Sequence, residues 1–217
     1  MESVIMGRDP KVLDQLFGFY ARPEGPVLDV TANRRRMWKG LETRGVLFAD
    51  RDPVVIPDVC CDFRRLPFAS NSFSAVVFDP PHLPAAAGSE KSSSQYKRDY
   101  GLDSAPRADS IESYFQPFLQ EALRVLKPDG LVFAKLIDFV HNHAHQWTLH
   151  EFLKAVPAGL TATDLLIKIN PSRGLTSGRW VKSHHARRVH TWWIVLRKGR
   201  CEPRRDYPAQ PQGRFVA

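Results

Sequence analysis

The chain has 217 residues, 43% of them hydrophobic and 25% charged, which is enough for one α/β domain with a substantial core and too little for a second full domain. It holds no apolar run of about 18 residues and no charged, then apolar leader, so it reads as a soluble, cytoplasmic protein without a membrane role. The net charge of +8, with Lys and Arg dense near the amino terminus, from Lys91 to Arg107 and beyond Lys168, favours a polyanionic partner and salt-sensitive association.

Residues 12–20 carry apolar side chains at helical spacing and stop before the loop Arg22-Pro23-Glu24-Gly25-Pro26. Val27-Leu28-Asp29-Val30 then reads as a strand running into Thr31-Ala32-Asn33; an apolar strand bearing an acid, followed by small residues, is how a nucleotide-binding sheet opens. No Gly-x-Gly follows, and Asn33 is the residue there that tolerates a positive φ at modest cost. Gly45-Val46-Leu47-Phe48-Ala49-Asp50 is a second apolar strand, ending in an acid about twenty residues further on, the spacing at which a carboxylate accepts ribose hydroxyls. Asp50 is the candidate for that role, and Asp52, in front of Pro53, reads as a solvated loop acid. Cys60 and Cys61 fit neither a disulfide framework nor a zinc pattern and are expected as reduced, buried thiols.

Residues 72–83 read SFSAVVFDPPHL. Ala75-Val76-Val77-Phe78 is a strand that Pro80 and Pro81 stop directly after Asp79, leaving one carboxylate and the neighbouring carbonyls in a stiff turn at the edge where open α/β sheets bind ligands. Such a cluster of acceptors suits an exocyclic amine, although Asp-Pro-Pro alone is also a common turn. Residues 84–109, with Lys91, Lys97, Arg98 and Arg107 beside Tyr96 and Tyr100, lack core periodicity and are expected as a flexible loop, either a nucleic-acid contact or a plain insertion. Residues 110–126 form an amphipathic helix with Pro117 inside it, Lys127-Pro128-Asp129-Gly130 ends it, and Leu131-Val132-Phe133-Ala134-Lys135-Leu136 is the next strand. His141, His143, His145 and His150 have no acid or cysteine at ligand spacing and read as a polar loop near the cleft, so no metal is expected. A helix capped by Thr148, a strand over 160–169, a basic loop over 170–185 and a strong strand over 189–198 follow. The expected domain is 1–198, and 199–217 is expected as a flexible tail.

Asp79-Pro80-Pro81-His82 resembles the Asp-Pro-Pro-Tyr motif of S-adenosyl-L-methionine-dependent amino-methyltransferases, which methylate adenine N6, cytosine N4 or related nucleic-acid amines. His82 stands where that family has Tyr, Phe or Trp, and its planar ring can still stack on a base. The segment from Asp62 through Leu66-Pro67-Phe68 to the motif strand, and the order helix, Leu-Lys-Pro-Asp-Gly, strand after it, are similar to the same family. Asp-Val-Thr followed by small residues and Arg36-Met37-Trp38 resembles a phage-type variant. The resemblance implies a Rossmann-like class I methyltransferase, an α/β fold with a mostly parallel twisted sheet and an antiparallel carboxyl-terminal hairpin. It implies S-adenosyl-L-methionine held by Asp29, Thr31, Ala32, Asn33, Asp50, Asp62 and Phe63, with Asp62 on the adenine amine and Phe63 on its face. Asp79, Pro80, Pro81 and His82 would carry methyl transfer to a base amine, DNA adenine N6 favoured over RNA. An RNA or small-amine acceptor, and a non-catalytic nucleic-acid binder that kept the fold, are the alternatives.

Overall fold

The computed structural model describes residues 1–20, 25–80, 112–141, 144–169 and 189–199. The expectations for Pro81, His82, the loop 84–109, the basic loop 170–185 and the tail beyond Gly199 lie outside the described residues. In chain order the elements are β1 (Val4–Met6), α1 (Asp9–Phe19), β2 (Val27–Asp29), β3 (Val46–Asp50), β4 (Val59–Cys60), β5 (Phe73–Phe78) and α2 (Glu112–Val125). They continue with β6 (Leu126–Leu136), β7 (Phe139–His141), β8 (Ala144–Gln146), α3 (Thr148–Lys154), β9 (Leu160–Ile169) and β10 (His190–Lys198).

Eight strands make one sheet in the order β1-β9-β10-β6-β5-β2-β3-β4. The block β6-β5-β2-β3-β4 is parallel throughout, while β10 runs antiparallel to both β6 and β9. The sheet is therefore mostly parallel with an antiparallel hairpin at its carboxyl-terminal end, as the sequence led us to expect. Its central strands are apolar on both sides because both faces are covered. On β5, Val76 and Phe78 point into the core under α2 and α3, while Ala75 and Val77 point into the core under α1. Helix α2 seats Phe115, Phe118, Leu119, Ala122 and Val125, all fully buried, against the first face. Each such large side chain contributes about 1.5–3 kcal/mol on leaving water.

Several expectations are corrected in detail. Strand β6 begins at Leu126, before the Lys-Pro-Asp-Gly turn, because Leu126 already pairs with Phe73; a register shift between Phe73 and Ala75 absorbs the turn, in which Asp129 takes φ 60°. Thr148 is not the cap of α3: Trp147 holds that position, and Asp138 accepts the Leu149 N–H at 3.2 Å instead. The cysteines are not buried, since Cys60 is exposed on the edge strand β4 and Cys61 is only partly covered. Strand β1 was not foreseen; its three residues extend the sheet beside β9. Among the described residues no helix is long and apolar enough to cross a membrane.

Candidate functional site

Strands β5, β2, β3 and β4 lie side by side and parallel, so their carboxyl ends open on one edge. The acids at or just after those ends are Asp79, Asp29, Asp50 and Asp62 in spatial order. A cleft of about 300 Å³ opens there, and Thr31, Ala32, Asn33, Asp50, Asp62, Phe63 and Asp79 all line it. Asp29 does not; it is 1% exposed and lies beneath the turn.

That turn is built by carboxylates. Asp29 accepts the Thr31 N–H at 3.0 Å and the Trp38 indole N–H at 2.7 Å, while Asp50 accepts the N–H of Asn33 at 2.8 Å and of Asp52 at 3.0 Å. Asn33 has φ 43°, filling the left-handed position that a glycine would otherwise take, and Arg35 has φ 53°. Burial pushes the Asp29 carboxyl up to about 7, against the opposing hydrogen bonds from Trp38 and Thr31. Asp52 accepts the Val54 N–H at 3.0 Å and also lines the cleft.

At the β4 end, Asp62 is taken up by its own neighbour. Arg64 donates to both its carboxylate oxygens through the backbone N–H, Nε and Nη2, at distances from 2.5 to 3.1 Å. Burial raises the Asp62 pKa, but these hydrogen bonds outweigh it and hold the carboxyl below its usual range. Phe63 is 9% exposed and packs edge-on against Phe78, Tyr114 and Phe118. The Leu66-Pro67-Phe68 turn is pinned to α2, where Glu121 accepts the Leu66 N–H at 2.7 Å and Arg124 donates to the Phe68 and Leu66 carbonyls at 2.6 and 2.9 Å.

At the β5 end, the Asp79 N–H donates to the Thr31 hydroxyl at 2.7 Å, tying the motif to the β2 turn, and Pro80 is buried. The Asp79 carboxylate receives the Lys135 ammonium from β6 at 2.9 Å. The same ammonium reaches Asp9, at the start of α1, at 3.0 Å, and Asp9 also pairs with Lys168 of β9. Burial works against the charge on Lys135, but Asp79 and Asp9 outweigh it and move its pKa up; for Lys168 burial prevails over Asp9 and moves the pKa down. Sequence reasoning missed Asp9, Lys135, Lys168 and Arg64. A signal existed for Lys135: a lysine inside an apolar strand of a doubly covered sheet must find a carboxylate.

Farther along the same edge, Trp147, Leu149, His150, Leu153 and Trp192 line an open groove whose floor is Asp138, which accepts the Trp192 indole N–H at 2.9 Å. His145 stacks on Trp147 with ring centroids 5.1 Å apart. Among the described residues no group of three or more His, Cys, Asp or Glu could hold a metal ion.

No protein-family model matches the chain, and no curated protein is similar to it in sequence. Solved structures are. TrmN from Thermus thermophilus superposes with a TM-score of 0.55 at 17% identity, over 87% of this chain and 48% of its own. The 1,6-didemethyltoxoflavin-N1-methyltransferase of Burkholderia thailandensis, solved with S-adenosylhomocysteine bound, gives 0.52 at 15% identity, over 88% and 80%. The cyclase SpnF gives 0.52 at 12% identity, over 88% and 80%. At such identities the likeness shows the fold, which is the Rossmann-like fold of class I methyltransferases. This chain spans about half the length of TrmN, and the cyclase shows that the fold alone does not fix the reaction.

Proposed function

We propose that this protein transfers a methyl group from S-adenosyl-L-methionine to an exocyclic amine of a nucleic-acid base, DNA adenine N6 by preference. The observation that carries the reading is the convergence, in one cleft, of the turn Thr31-Ala32-Asn33, the acids Asp50 and Asp62, Phe63, and the motif acid Asp79. The residues present fit the cofactor. Asp50, held by two backbone N–H groups, keeps lone pairs for ribose hydroxyls, and Phe63 offers an apolar wall to an adenine ring. Asp62 fits the adenine amine once Arg64 gives way, since the guanidinium now covers both its oxygens.

When bound, the cofactor supplies an electrophilic methyl on a sulfonium. The chain's own contribution is placement. Asp79 and the Pro80 carbonyl accept hydrogen bonds from the amine, orient its lone pair and raise its electron density, and His82 is assigned to stack on the base. Asp79 is well suited to this work because its backbone is fixed to Thr31, a residue assigned to hold the cofactor. The basic composition supports a polyanionic acceptor.

A second reading is a nucleic-acid-binding protein that kept the fold and lost the cofactor, favoured by the glycine-free turn and by Arg64 on Asp62. Calorimetry with S-adenosyl-L-methionine, beside transfer of labelled methyl to DNA, RNA and small amines, separates the two. The methyltransferase reading expects binding, DNA labelling, and transfer that falls about 100-fold in Asp79→Ala and less in Asp79→Asn, with cofactor affinity nearly unchanged. No binding at millimolar cofactor supports the second reading, and wild-type transfer by Asp79→Ala refutes the amine-orienting role.

A further inference from the structure

Lys135 is the one cation on the otherwise apolar β6 strand between Leu131 and Leu136, and it is 9% exposed. Lys135 follows Phe133 on one face of β6 and is paired across the sheet with Trp193, and burying an ammonium there is expensive, where an apolar residue of similar volume often gives a core equal or greater stability. Stability alone therefore does not account for Lys135. Its position does, because it touches the carboxylate that closes the β5 turn.

We propose that Lys135 is a positioning residue that fixes the orientation of the Asp79 carboxylate and keeps it ionised, so that Asp79 accepts a hydrogen bond from the acceptor amine without taking its proton. The inference rests on the proposed amine transfer for its consequence, and on geometry alone for its cause. The Asp79 N–H on the Thr31 hydroxyl at 2.7 Å anchors its backbone, and the Lys135 ammonium 2.9 Å from Oδ2 gives the carboxylate a preferred direction. An ionised carboxylate has about four acceptor directions, so it can hold the Lys135 ammonium and an amine N–H together. Among the described residues, the charged groups facing Asp79 are Lys135 from β6, Asp9 from α1, Lys168 from β9 through Asp9, and Asp29 at the end of β2. The alternation Asp79, Lys135, Asp9, Lys168 is neutral as a whole, and Asp9 is the second carboxylate on the Lys135 ammonium.

In the transfer step the amine lone pair forms the new N–C bond as the methyl C–S bond breaks, leaving a neutral thioether, and the surplus proton on nitrogen goes to water. An acceptor that took this proton early would lose its charge before transfer. The ammonium opposes that loss, because a neighbouring cation favours the carboxylate form.

The test compares wild type with Lys135→Met, Lys135→Arg and Lys168→Met. Carbon-detected NMR of Asp-labelled protein, with Asp79→Asn to assign the signal, reads the Asp79 carboxyl without cofactor or substrate. Its titration midpoint should rise by about 1 to 3 pH units in Lys135→Met, stay near wild type in Lys135→Arg, and move less in Lys168→Met. In the transfer assay Lys135→Met should lower kcat about 100-fold, move its acid limb upward by the same interval and change KM for the cofactor little. An unmoved midpoint and acid limb in folded Lys135→Met overturn the proposal. If that variant does not fold, Lys135→Gln takes its place: a raised midpoint with reduced kcat, both restored in Lys135→Arg, supports positioning, and an unmoved midpoint with full kcat in Lys135→Gln overturns it. A moved midpoint in a protein that binds no cofactor upholds the contact while the methyltransferase reading fails.

Discussion

The Arg64 contact to Asp62 makes the proposed cofactor site adjustable in a measurable way. Asp62 is assigned to the adenine amine, yet four contacts from Arg64 cover its oxygens, so a ligand amine must displace part of the guanidinium before it binds. Both side chains are 31% exposed, which places the pair among partly screened ion pairs worth about 1 kcal/mol, well below a fully buried one. Arg64→Ala releases that competition, and S-adenosyl-L-methionine should bind about 5-fold more tightly. Asp62→Ala removes a hydrogen bond to a charged acceptor, about 1.5–3 kcal/mol, partly offset because Arg64 is no longer displaced, so affinity should fall about 10-fold. In the double variant Arg64 no longer matters, and affinity should match Asp62→Ala. Calorimetry at fixed salt measures all three, with Tm as the check on folding. Weaker binding by a stably folded Arg64→Ala would refute the competition and make Arg64 itself a ligand contact, while unchanged affinity in Asp62→Ala would remove Asp62 from the site.

Asp50→Ala strips the acceptor from both Asn33 and Asp52 and from the proposed ribose contact, so cofactor affinity should fall about 10-fold or more by calorimetry. Asp29 has a carboxyl raised by burial from 3.8 to about 7, so between those values the folded state holds a proton that the unfolded state has released. Its contribution to stability is therefore highest below about pH 4, falls as pH rises to about 7 and is level above, an effect of at most about 4 kcal/mol. Thermal melts from pH 5 to 8 should show that Asp29→Asn loses this component, and parallel pH curves for variant and wild type would count against it. Affinity for DNA should fall steeply between about 50 and 200 mM salt through counterion release. A flat salt response in a filter-binding or anisotropy assay would point to a small-molecule acceptor.

The acids at the strand ends were legible because everything that places them is local. A short continuous apolar run ends where a carboxylate or Pro80 interrupts it, and parallel neighbours then bring Asp79, Asp29, Asp50 and Asp62 to one edge. The charge cluster behind Asp79 was not legible in that way, because Lys135 meets residues 126 and 56 positions away and Asp9 meets Lys168 across 159. No spacing rule spans such separations. The α3 cap shows the same limit: Thr148 has the right side chain for a cap, but Asp138, brought in beside β10 by its bond to Trp192, takes the helix N–H.

The glycine-free turn after β2 joins the two cases. Asn33 is the replacement that sequence can foresee, since its short polar side chain tolerates a left-handed backbone, and it adopts φ 43°. Arg35 at φ 53° has no such local excuse and stores strain of order 1 kcal/mol. What holds it is tertiary: its guanidinium lies 4.2 Å over the Phe48 ring, pairs with Asp58 at 3.0 Å and donates to the Ile56 carbonyl at 3.3 Å. A cation over an aromatic face and a half-exposed ion pair each supply about 0.5–1 kcal/mol, enough to offset the strain. The turn that glycines would form through backbone freedom is thus formed here by anchoring side chains to β3 and the segment before β4, so the stiffness of the cleft's floor depends on residues that do not touch its contents.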